Sequence, residues 1–212
     1  PSAVWNWEDE YVQNWTTQVV ESAGPVLLWD AESDQGDTFQ AFSGFGGANQ
    51  SEMIENGGSG KMARSVSSTQ PTQGRHTLGF ATYIGDRLKG IRPSTLNSYE
   101  YVVVRAKTDY PLPAEPKVIL LDHNGNAYSA PIPADGTFQE HRIPVSSFEP
   151  DRFMMLPFGY PSVLKVWYET GVPGPPEPGR IEEIQFYLDT SENPDYEGGE
   201  RYGFAVESVW LE

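Results

Sequence analysis

The fold of this chain is decided by two apolar-rich runs near its C-terminus, Ile181-Glu-Glu-Ile-Gln-Phe-Tyr-Leu188 and Tyr202-Gly-Phe-Ala-Val-Glu-Ser-Val-Trp-Leu211. Apolar residues alternate with polar ones along the first run, which predicts a β-strand with Gln185 and Tyr187 on its non-core face. The alternation of the second run slips at Glu207, and such a slip predicts a β-bulge that reorients this carboxylate. Two strands are not stable alone, so the rest of the chain must supply the sheets that receive them.

The composition favours a turn-rich β protein of one large domain. The 212 residues include 21 Gly and 18 Pro, and 13% of them are aromatic, a mixture typical of β-strands joined by many turns. The chain has no cysteine, which excludes disulfides and thiolate metal sites.

The charge of the chain excludes two classes of partner. The formal net charge is −16, and residues 1–60 contain no Lys or Arg. A field of this sign repels nucleic acid and anionic lipid. The hydrophobic residues, 38% of the chain, are too dispersed to form a transmembrane span. We therefore expect neither a nucleic-acid nor a membrane partner.

Residues 1–24 predict an N-terminal helix or linker that is distinct from the rest. Trp7, Tyr11 and Trp15 recur every four residues, which places them on one side of a helix over residues 7–20. Asn6 is suited to cap this helix, and Gly24 followed by proline is suited to end it.

Residues 25–212 predict an all-β domain. Its strands are expected in β-branched or alternating runs that turn-forming residues separate, and Asn124-Gly125 predicts the tight turn of a hairpin. Besides the two C-terminal runs, the expected strands cover residues 26–29, 61–68, 76–84, 99–107, 117–121, 127–132 and 137–144. No helix is expected after residue 24. This series predicts a two-sheet antiparallel β-sandwich of jelly-roll type with a short N-terminal helix.

Residues 149–180 interrupt the series of strands. The segment is rich in proline and also carries Met154, Met155, Trp167 and Tyr168. It is long for an ordinary connection and too aromatic for a linker, so we interpret it as a candidate functional loop.

The order of these pieces resembles a known family. Leu28-Trp-Asp-Ala-Glu32 comes first, Leu96-Asn-Ser-Tyr-Glu-Tyr-Val-Val-Val-Arg-Ala-Lys107 follows, and Val118-Ile-Leu-Leu-Asp-His-Asn-Gly-Asn126 forms the hairpin before the two C-terminal runs close the chain. Over residues 26–148 and 181–212 the chain is similar to the β-sandwich carbohydrate-binding modules, of the galactose-binding-like superfamily, that are attached to bacterial polysaccharide-degrading enzymes. The resemblance implies a binding module rather than a catalyst, and a location outside the cell or at its surface.

The same resemblance implies a structural calcium ion held by the acidic first strand and an acidic residue of the last strand. Asp30, Glu32 and Glu207 are the matching residues, which would meet where the first and last strands pair. Hard carboxylate oxygens suit Ca²⁺. The family usually has Asp where this chain has Glu207. The alternative is a solvated carboxylate at a sheet edge.

A carbohydrate ligand requires flat aromatic rings and planar polar groups. Such side chains are expected at strand positions that point away from the core. The alternative for each aromatic residue is a place in the core. The residues expected to line a common concave face are Tyr101, Arg105, Arg142, Gln185 and Tyr187. The aromatic residues expected to stack on the ligand from flanking loops are Tyr83, Trp167 and Tyr168.

Catalysis is not supported by any motif of the sequence. No strand carries the paired carboxylates of jelly-roll glycosidases, and His76, His123 and His141 lie in no recognised arrangement. We therefore expect a non-catalytic polysaccharide-binding module, secreted or on the cell surface, that is an accessory to a glycoside hydrolase or lyase domain. Two alternatives stay open, a structural sandwich without a glycan ligand and a small jelly-roll hydrolase or lyase.

Overall fold

A computed structural model describes residues 24–33, 38–43, 48–56, 60–69, 77–91, 93–108, 114–156, 163–165, 173–193 and 199–212, with the backbone alone at 40–43, 163–165 and 191. The predicted N-terminal helix and the residues Trp167 and Tyr168 lie outside these ranges. No helix among the described residues is long and apolar enough to cross a membrane.

The described residues form two six-stranded antiparallel sheets, which confirms the predicted β-sandwich. The strands are β1 (Val26–Asp30), β2 (Thr38–Ser43), β3 (Ala48–Glu55), β4 (Met62–Thr69), β5 (Thr77–Tyr83), β6 (Tyr101–Thr108), β7 (Lys117–Asp122), β8 (Ala127–Pro131), β9 (Gln139–Pro144), β10 (Glu149–Asp151), β11 (Phe153–Met155), β12 (Val163–Lys165), β13 (Ile181–Asp189) and β14 (Arg201–Leu211). Sheet A has the order β3-β4-β14-β6-β9, with β1 also paired to β14, and sheet B has the order β10-β8-β7-β13-β5-β2. A separate two-stranded ribbon contains β11 and β12.

The two C-terminal strands are central, one in each sheet. Strand β13 lies between β5 and β7, and β14 lies between β4 and β6. Their inward side chains, such as Phe186 and Phe204, are fully buried in the core between the sheets. Trp29 of β1 packs against Phe186 at 6.4 Å and against Phe80 at 5.5 Å between ring centroids. The alternation along β13 and β14 therefore determines which side chains of the two sheets meet in the core.

The predicted bulge lies at Glu207. The register between β14 and β6 shifts between Val206 and Ser208, so Glu207 is the extra residue. Strands β4 and β1 pair in succession with the same edge of β14, and Glu207 lies at the junction between them. Its carbonyl oxygen accepts a hydrogen bond of 3.0 Å from the backbone N–H of Ala31. The expected pairing of the first and last strands is thus confirmed.

The hairpin of β7 and β8 has the predicted Asn-Gly turn. Gly125 has a φ of +79°, a conformation that side chains disfavour. Asp122 Oδ1 accepts hydrogen bonds from the backbone N–H groups of Asn124 and Asn126, at 2.8 and 2.9 Å. The turn is therefore fixed by a glycine and by a side chain that replaces backbone acceptors.

Several elements differ from the sequence predictions. Strands β2 and β3 were not expected in the polar and glycine-rich region that they occupy, and a short helix α1 (Pro93–Leu96) occurs after residue 24. The segment 149–180 contains β10, which pairs with β8 at the edge of sheet B, and both strands of the ribbon.

The ribbon covers the outer face of sheet B. Phe153 and Met155 of β11 pack there with Ala81, Ile119 and Tyr187 in a second apolar cluster. Gly79 of β5 allows this approach, because a Cβ at that position would meet the Sδ of Met155 at 3.0 Å. The same Cβ would also collide with the carbonyl oxygen of Phe186 on the neighbouring strand. One outer face of the sandwich is therefore partly closed, and the outer face of sheet A is the one to consider for a site.

Candidate functional site

Three of the predicted ligand residues share the outer face of sheet A. Val102 and Val104 of β6 belong to the core, so Tyr101 and Arg105 project outward. Arg142 of β9 lies opposite Val103 and has the same outward phase. The structure therefore brings Tyr101, Arg105 and Arg142 together, as expected.

Arg142 lies against the ring of Tyr101. Its guanidinium carbon is 4.5 Å from the ring centroid, and its Nη2 is 3.3 Å from Glu212 Oε1. A cation over an aromatic ring contributes about 0.5–1 kcal/mol at an exposed site and fixes the side chain that makes it. Tyr101 is half-buried and the Arg142 side chain is 54% exposed, so both remain accessible to solvent.

Trp210 is a further aromatic residue of this face that the sequence analysis did not select. It lies opposite Val103 on one side and opposite Leu27 on the other. Trp210 is half-buried and Leu27 is 46% exposed. The sequence did indicate this position: after the bulge Val209 and Leu211 face the core, so Trp210 between them faces outward. Tyr101 and Trp210 occupy diagonal positions on neighbouring strands, within reach of one ligand.

A pocket of about 540 Å³ lies beside Trp210, and we call it the Trp210 pocket. It is formed where β1 and β4 meet the bulge of β14, and its lining includes apolar and charged side chains. The lining residues are Pro25, Leu27, Asp30, Glu32, Lys61, Met62, Glu207, Ser208 and Trp210.

Glu207 is the most buried charged residue of the Trp210 pocket, at 3% exposure. Its Oε2 accepts hydrogen bonds from Asn56 Nδ2 and from Arg105 Nε, the latter at 3.2 Å. Arg105 Nη1 is also 3.4 Å from Glu140 Oε1. A buried carboxylate is tolerated only when it is paired, and the guanidinium supplies that pairing.

The structure pairs the predicted calcium ligands Asp30 and Glu207 with other side chains. Arg105 and Lys61 already neutralise Glu207, at 3.2 and 3.6 Å, and Glu32 is exposed. Asp30 accepts hydrogen bonds from Ser33 and lies 3.4 Å from Arg87 Nη1. Ca²⁺ takes six to eight oxygen ligands, whereas no three His, Asp or Glu side chains among the described residues are close enough to hold a metal.

The pKa of Asp30 agrees with this pairing. Burial acts to raise it, but the hydrogen bonds from Ser33 and the charge of Arg87 outweigh burial and hold the pKa below its ordinary value. The Asp30 carboxylate is thus ionised, and Ser33 and Arg87 of the same chain interact with it. The calcium ion stays a prediction of the resemblance that no observation tests.

A second pocket, of about 470 Å³, lies at the other end of the face and includes Tyr101. It is formed by the start of β6, the end of β9 and a proline-rich segment before β13. The lining residues are Asn97, Tyr99, Glu100, Tyr101, Pro144, Val145, Ser146, Pro175, Pro176, Glu177 and Pro178. Tyr101 and Trp210 therefore connect two concave regions of one sheet face.

The other predicted residues that the structure describes lie on sheet B, so the single common face that the sequence suggested is wrong. Tyr83 ends β5 and is 46% exposed. Gln185 and Tyr187 have the expected outward phase on β13, but the ribbon buries both. Gln185 and Tyr187 were expected to be exposed because they point away from the core. They are buried because the ribbon adds a further layer over this face.

Gln185 connects the ribbon to sheet B. Its Oε1 accepts a hydrogen bond of 2.8 Å from the Met155 N–H, and its Nε2 donates to the Met155 carbonyl oxygen at 3.1 Å. Nε2 also donates to Glu183 Oε1 at 2.6 Å. Burial raises the pKa of Glu183, and the hydrogen bond from Gln185 only partly offsets this. The amide therefore has a structural function in this arrangement.

Tyr187 is also part of the packing beneath the ribbon. Its ring is stacked on Phe153 at 4.0 Å between centroids, with an interplanar angle of 14°. Its hydroxyl donates to Asp151 Oδ2 at 3.3 Å. Burial, together with the Asp151 carboxylate, raises the pKa of the phenol above its ordinary value, so the phenol is neutral.

Comparisons with known proteins support the fold. No family model and no curated protein matches the chain. Among solved structures, the family 11 carbohydrate-binding module of a cellulosomal cellulase of Clostridium thermocellum is 18% identical, with a TM-score of 0.54, and the match covers 89% of this chain and 94% of that one. A family 11 module from the same organism, in complex with a β-1,3-1,4-mixed-linked tetrasaccharide, is also 18% identical, with a TM-score of 0.55 and coverage of 89% and 95%. The chain therefore shares the β-sandwich fold of these carbohydrate-binding modules.

Proposed function

We propose that this chain is a non-catalytic module that binds neutral oligosaccharides and polysaccharides on the outer face of sheet A. The observation that carries the proposal is the pair of outward aromatic residues, Tyr101 and Trp210, on neighbouring strands of one face. Each ring lines a concave region, and polar side chains surround both.

The chemistry of this face suits a sugar. The C–H face of a pyranose packs on an aromatic ring, and its hydroxyls need planar polar groups that are already held in place. Arg142 is oriented by Tyr101 and Glu212, and Arg105 is oriented by Glu207 and Glu140. Side chains that are fixed before binding lose little conformational entropy when the ligand arrives.

The charge of the chain favours a neutral glycan. A net charge of −16 repels uronate-rich or sulfated polysaccharides over long distances. A similar module was solved in complex with a β-1,3-1,4-mixed-linked tetrasaccharide, and the match covers 89% of this chain. A β-1,3-1,4-mixed-linked glycan is therefore the first ligand to test.

An accessory role beside a catalytic domain, and a location outside the cell or at its surface, follow from the same proposal. A binding module increases the local concentration of a linked catalytic domain on its polymer, which requires no chemistry from the module.

The test is affinity gel electrophoresis of the chain in gels that contain mixed-linked β-glucan, xylan, agarose or polygalacturonate, with reducing-sugar release measured in parallel. We expect retardation by a neutral polymer, none by polygalacturonate and no release of sugar. Trp210→Ala should reduce the retardation strongly, whereas Tyr83→Ala, an exposed aromatic residue of the other sheet, should not. Migration that no polymer changes, or release of reducing ends, would contradict the proposal.

A further inference from the structure

The second pocket of the sheet A face, which we call the Tyr101 pocket, is bounded by two segments that are held together. The Gly179 N–H donates to Asn97 Oδ1 at 2.7 Å, which connects the proline-rich segment before β13 to the residue that follows helix α1. This close approach requires a glycine, because a Cβ at Gly179 would meet the Cα and the carbonyl oxygen of Pro93 at 2.6 Å. The wall of the pocket is therefore fixed before any ligand arrives.

The side-chain amide of Asn97 is oriented by the same hydrogen bond. Its oxygen accepts from Gly179, so its NH₂ group keeps both hydrogens for other acceptors. This NH₂ group has no hydrogen-bond partner among the residues that the structure describes, and Asn97 is exposed and lines the pocket. A planar donor that is already held in place is thus available to a ligand.

Glu100 supplies an acceptor to the same pocket. Its backbone is fixed on both sides, since its N–H donates to the Glu212 carbonyl oxygen at 3.1 Å and its own carbonyl oxygen accepts from the Val145 N–H at 2.8 Å. Its side chain is exposed, and the carboxylate has no hydrogen bond or ion pair with any described residue. Asn97 and Glu100 therefore offer the pocket one donor group and one charged acceptor.

Tyr101 gives the pocket an aromatic surface of fixed orientation. The Arg142 guanidinium carbon lies 4.5 Å from the ring centroid and holds the ring in place. The exposed Pro144 and Pro175 extend the apolar wall, and their rings lose little conformational entropy on binding. A volume of about 470 Å³ lies in the usual range of small-ligand sites.

We propose that the Tyr101 pocket binds one pyranose residue of a neutral glycan. This inference rests on the function proposed above and specifies a contact region besides Trp210. One sugar hydroxyl accepts a hydrogen bond from Asn97 Nδ2 and donates its own hydrogen to the Glu100 carboxylate, while the ring packs on Tyr101. A hydroxyl has one hydrogen and two acceptor lone pairs, so a single hydroxyl satisfies both side chains.

The charges of the lining favour an uncharged sugar. Among the described residues that line the pocket, Glu100 and Glu177 are charged and none is basic. Arg180 is paired with Glu177 at 3.0 Å, so it does not offset the charge of Glu100. A uronate or sulfated residue would approach this carboxylate with a like charge, which costs binding free energy. The pocket therefore selects neutral sugars.

The substitution Asn97→Asp tests the donor. Aspartate keeps an oxygen for the Gly179 N–H at almost unchanged volume, but it replaces the NH₂ group with a second acceptor. Two carboxylates then compete for one hydroxyl hydrogen. We expect the affinity for β-1,3-1,4-mixed-linked tetrasaccharide, measured by isothermal titration calorimetry, to fall about 10-fold or more, because one hydrogen bond is lost and a carboxylate oxygen is left unpaired.

The substitution Glu100→Gln tests the acceptor and keeps the fold intact, because the side chain is exposed. It removes the charge from the acceptor at almost unchanged volume. We expect it to weaken binding of the same tetrasaccharide about 3- to 10-fold, since a hydrogen bond to a charged group is worth more than a neutral one.

Two matched controls make the same chemical changes on sheet B. Asn124→Asp alters an exposed asparagine in the turn between β7 and β8, and Asp-Gly forms the same turn as Asn-Gly. Glu149→Gln alters an exposed carboxylate on β10. Both variants should bind the tetrasaccharide as the parent does, and a melting curve of each variant shows that the fold is retained.

The outcomes are separable. Loss of affinity in Asn97→Asp and Glu100→Gln, but not in the two controls, supports the inference. Unchanged affinity in either pocket variant, with the parent binding the tetrasaccharide, overturns the inference and leaves the proposed function standing, because Trp210 does not line this pocket. Equal losses in the controls also overturn the inference. A parent that does not bind the tetrasaccharide overturns the inference, and a parent that binds no neutral polymer overturns the proposed function as well.

Discussion

Replacing Tyr187 with alanine tests whether the ribbon covers sheet B. Tyr187 is 3% exposed, and its ring is stacked on Phe153 at 4.0 Å. Truncation of a buried aromatic residue to alanine removes its packing and leaves a cavity, which costs about 3–5 kcal/mol. For a domain of this size, the melting temperature should fall by about 10 °C.

The assay is equilibrium unfolding in urea, followed by tryptophan fluorescence and circular dichroism. Tyr187→Phe keeps the ring and removes only the 3.3 Å hydrogen bond to Asp151, so it should cost about 1 kcal/mol. Tyr83→Ala is the matched control, because that tyrosine is 46% exposed and should change the free energy of unfolding by only about 0.5 kcal/mol. A Tyr187→Ala variant as stable as Tyr83→Ala would refute the placement of the ribbon on this face.

Three further predictions concern the ribbon, the acidic residues and a buried histidine. Gln185→Leu should lower the free energy of unfolding by about 2–4 kcal/mol, because it leaves both backbone groups of Met155 unpaired, and urea unfolding measures this. EDTA should leave the melting temperature unchanged, since arginine and lysine already neutralise Glu207; a fall that added Ca²⁺ reverses would instead support the predicted calcium ion. Burial lowers the pKa of His141, although a hydrogen bond to the Ala106 backbone and the charge of Asp135 oppose this shift. When the pH falls, the unfolded chain therefore takes up a proton at His141 that the native chain does not. The contribution of neutral His141 to the free energy of unfolding is complete above about pH 6.5 and falls at lower pH by at most about 1.4 kcal/mol per pH unit. His141→Asn should remove this dependence, which unfolding curves at several pH values would measure.

Much of the fold was predictable because alternation and turn chemistry are local. The period of two in β13 and β14, the slip at Glu207 and the Asn124-Gly125 turn each predicted a feature that the structure has. The pairing of the first and last strands also agrees with prediction. Strands β2 and β3 were missed because they are polar or follow glycine-rich sequence, and their pairing partners rather than their own residues make them strands.

The candidate site was only partly predictable. The phase of a strand identifies the face on which a side chain lies, but it gives neither the sheet that the strand joins nor what covers that face. Arg105 and Tyr187 both have an outward phase, yet they belong to different sheets and only Tyr187 lies under the ribbon. Trp210 was overlooked because an aromatic residue at the end of a closing strand is usually assigned to the core. The contact roles of Trp167 and Tyr168 stay predictions, whereas Tyr83 lies on sheet B, away from the proposed face.

The proposed ligand surface is the outer face of sheet A, where a neutral glycan should bind. A titration of the ¹⁵N-labelled chain with mixed-linked tetrasaccharide, observed by two-dimensional NMR, tests it most directly, and a Trp210→Phe variant assigns one of the six indole signals. We predict that the shifts concentrate on the Trp210 indole and on the amides of Val103, Arg105 and Ser208. Shifts confined to sheet B, around Tyr83 and the ribbon, or the absence of any shift at millimolar ligand, would contradict the account.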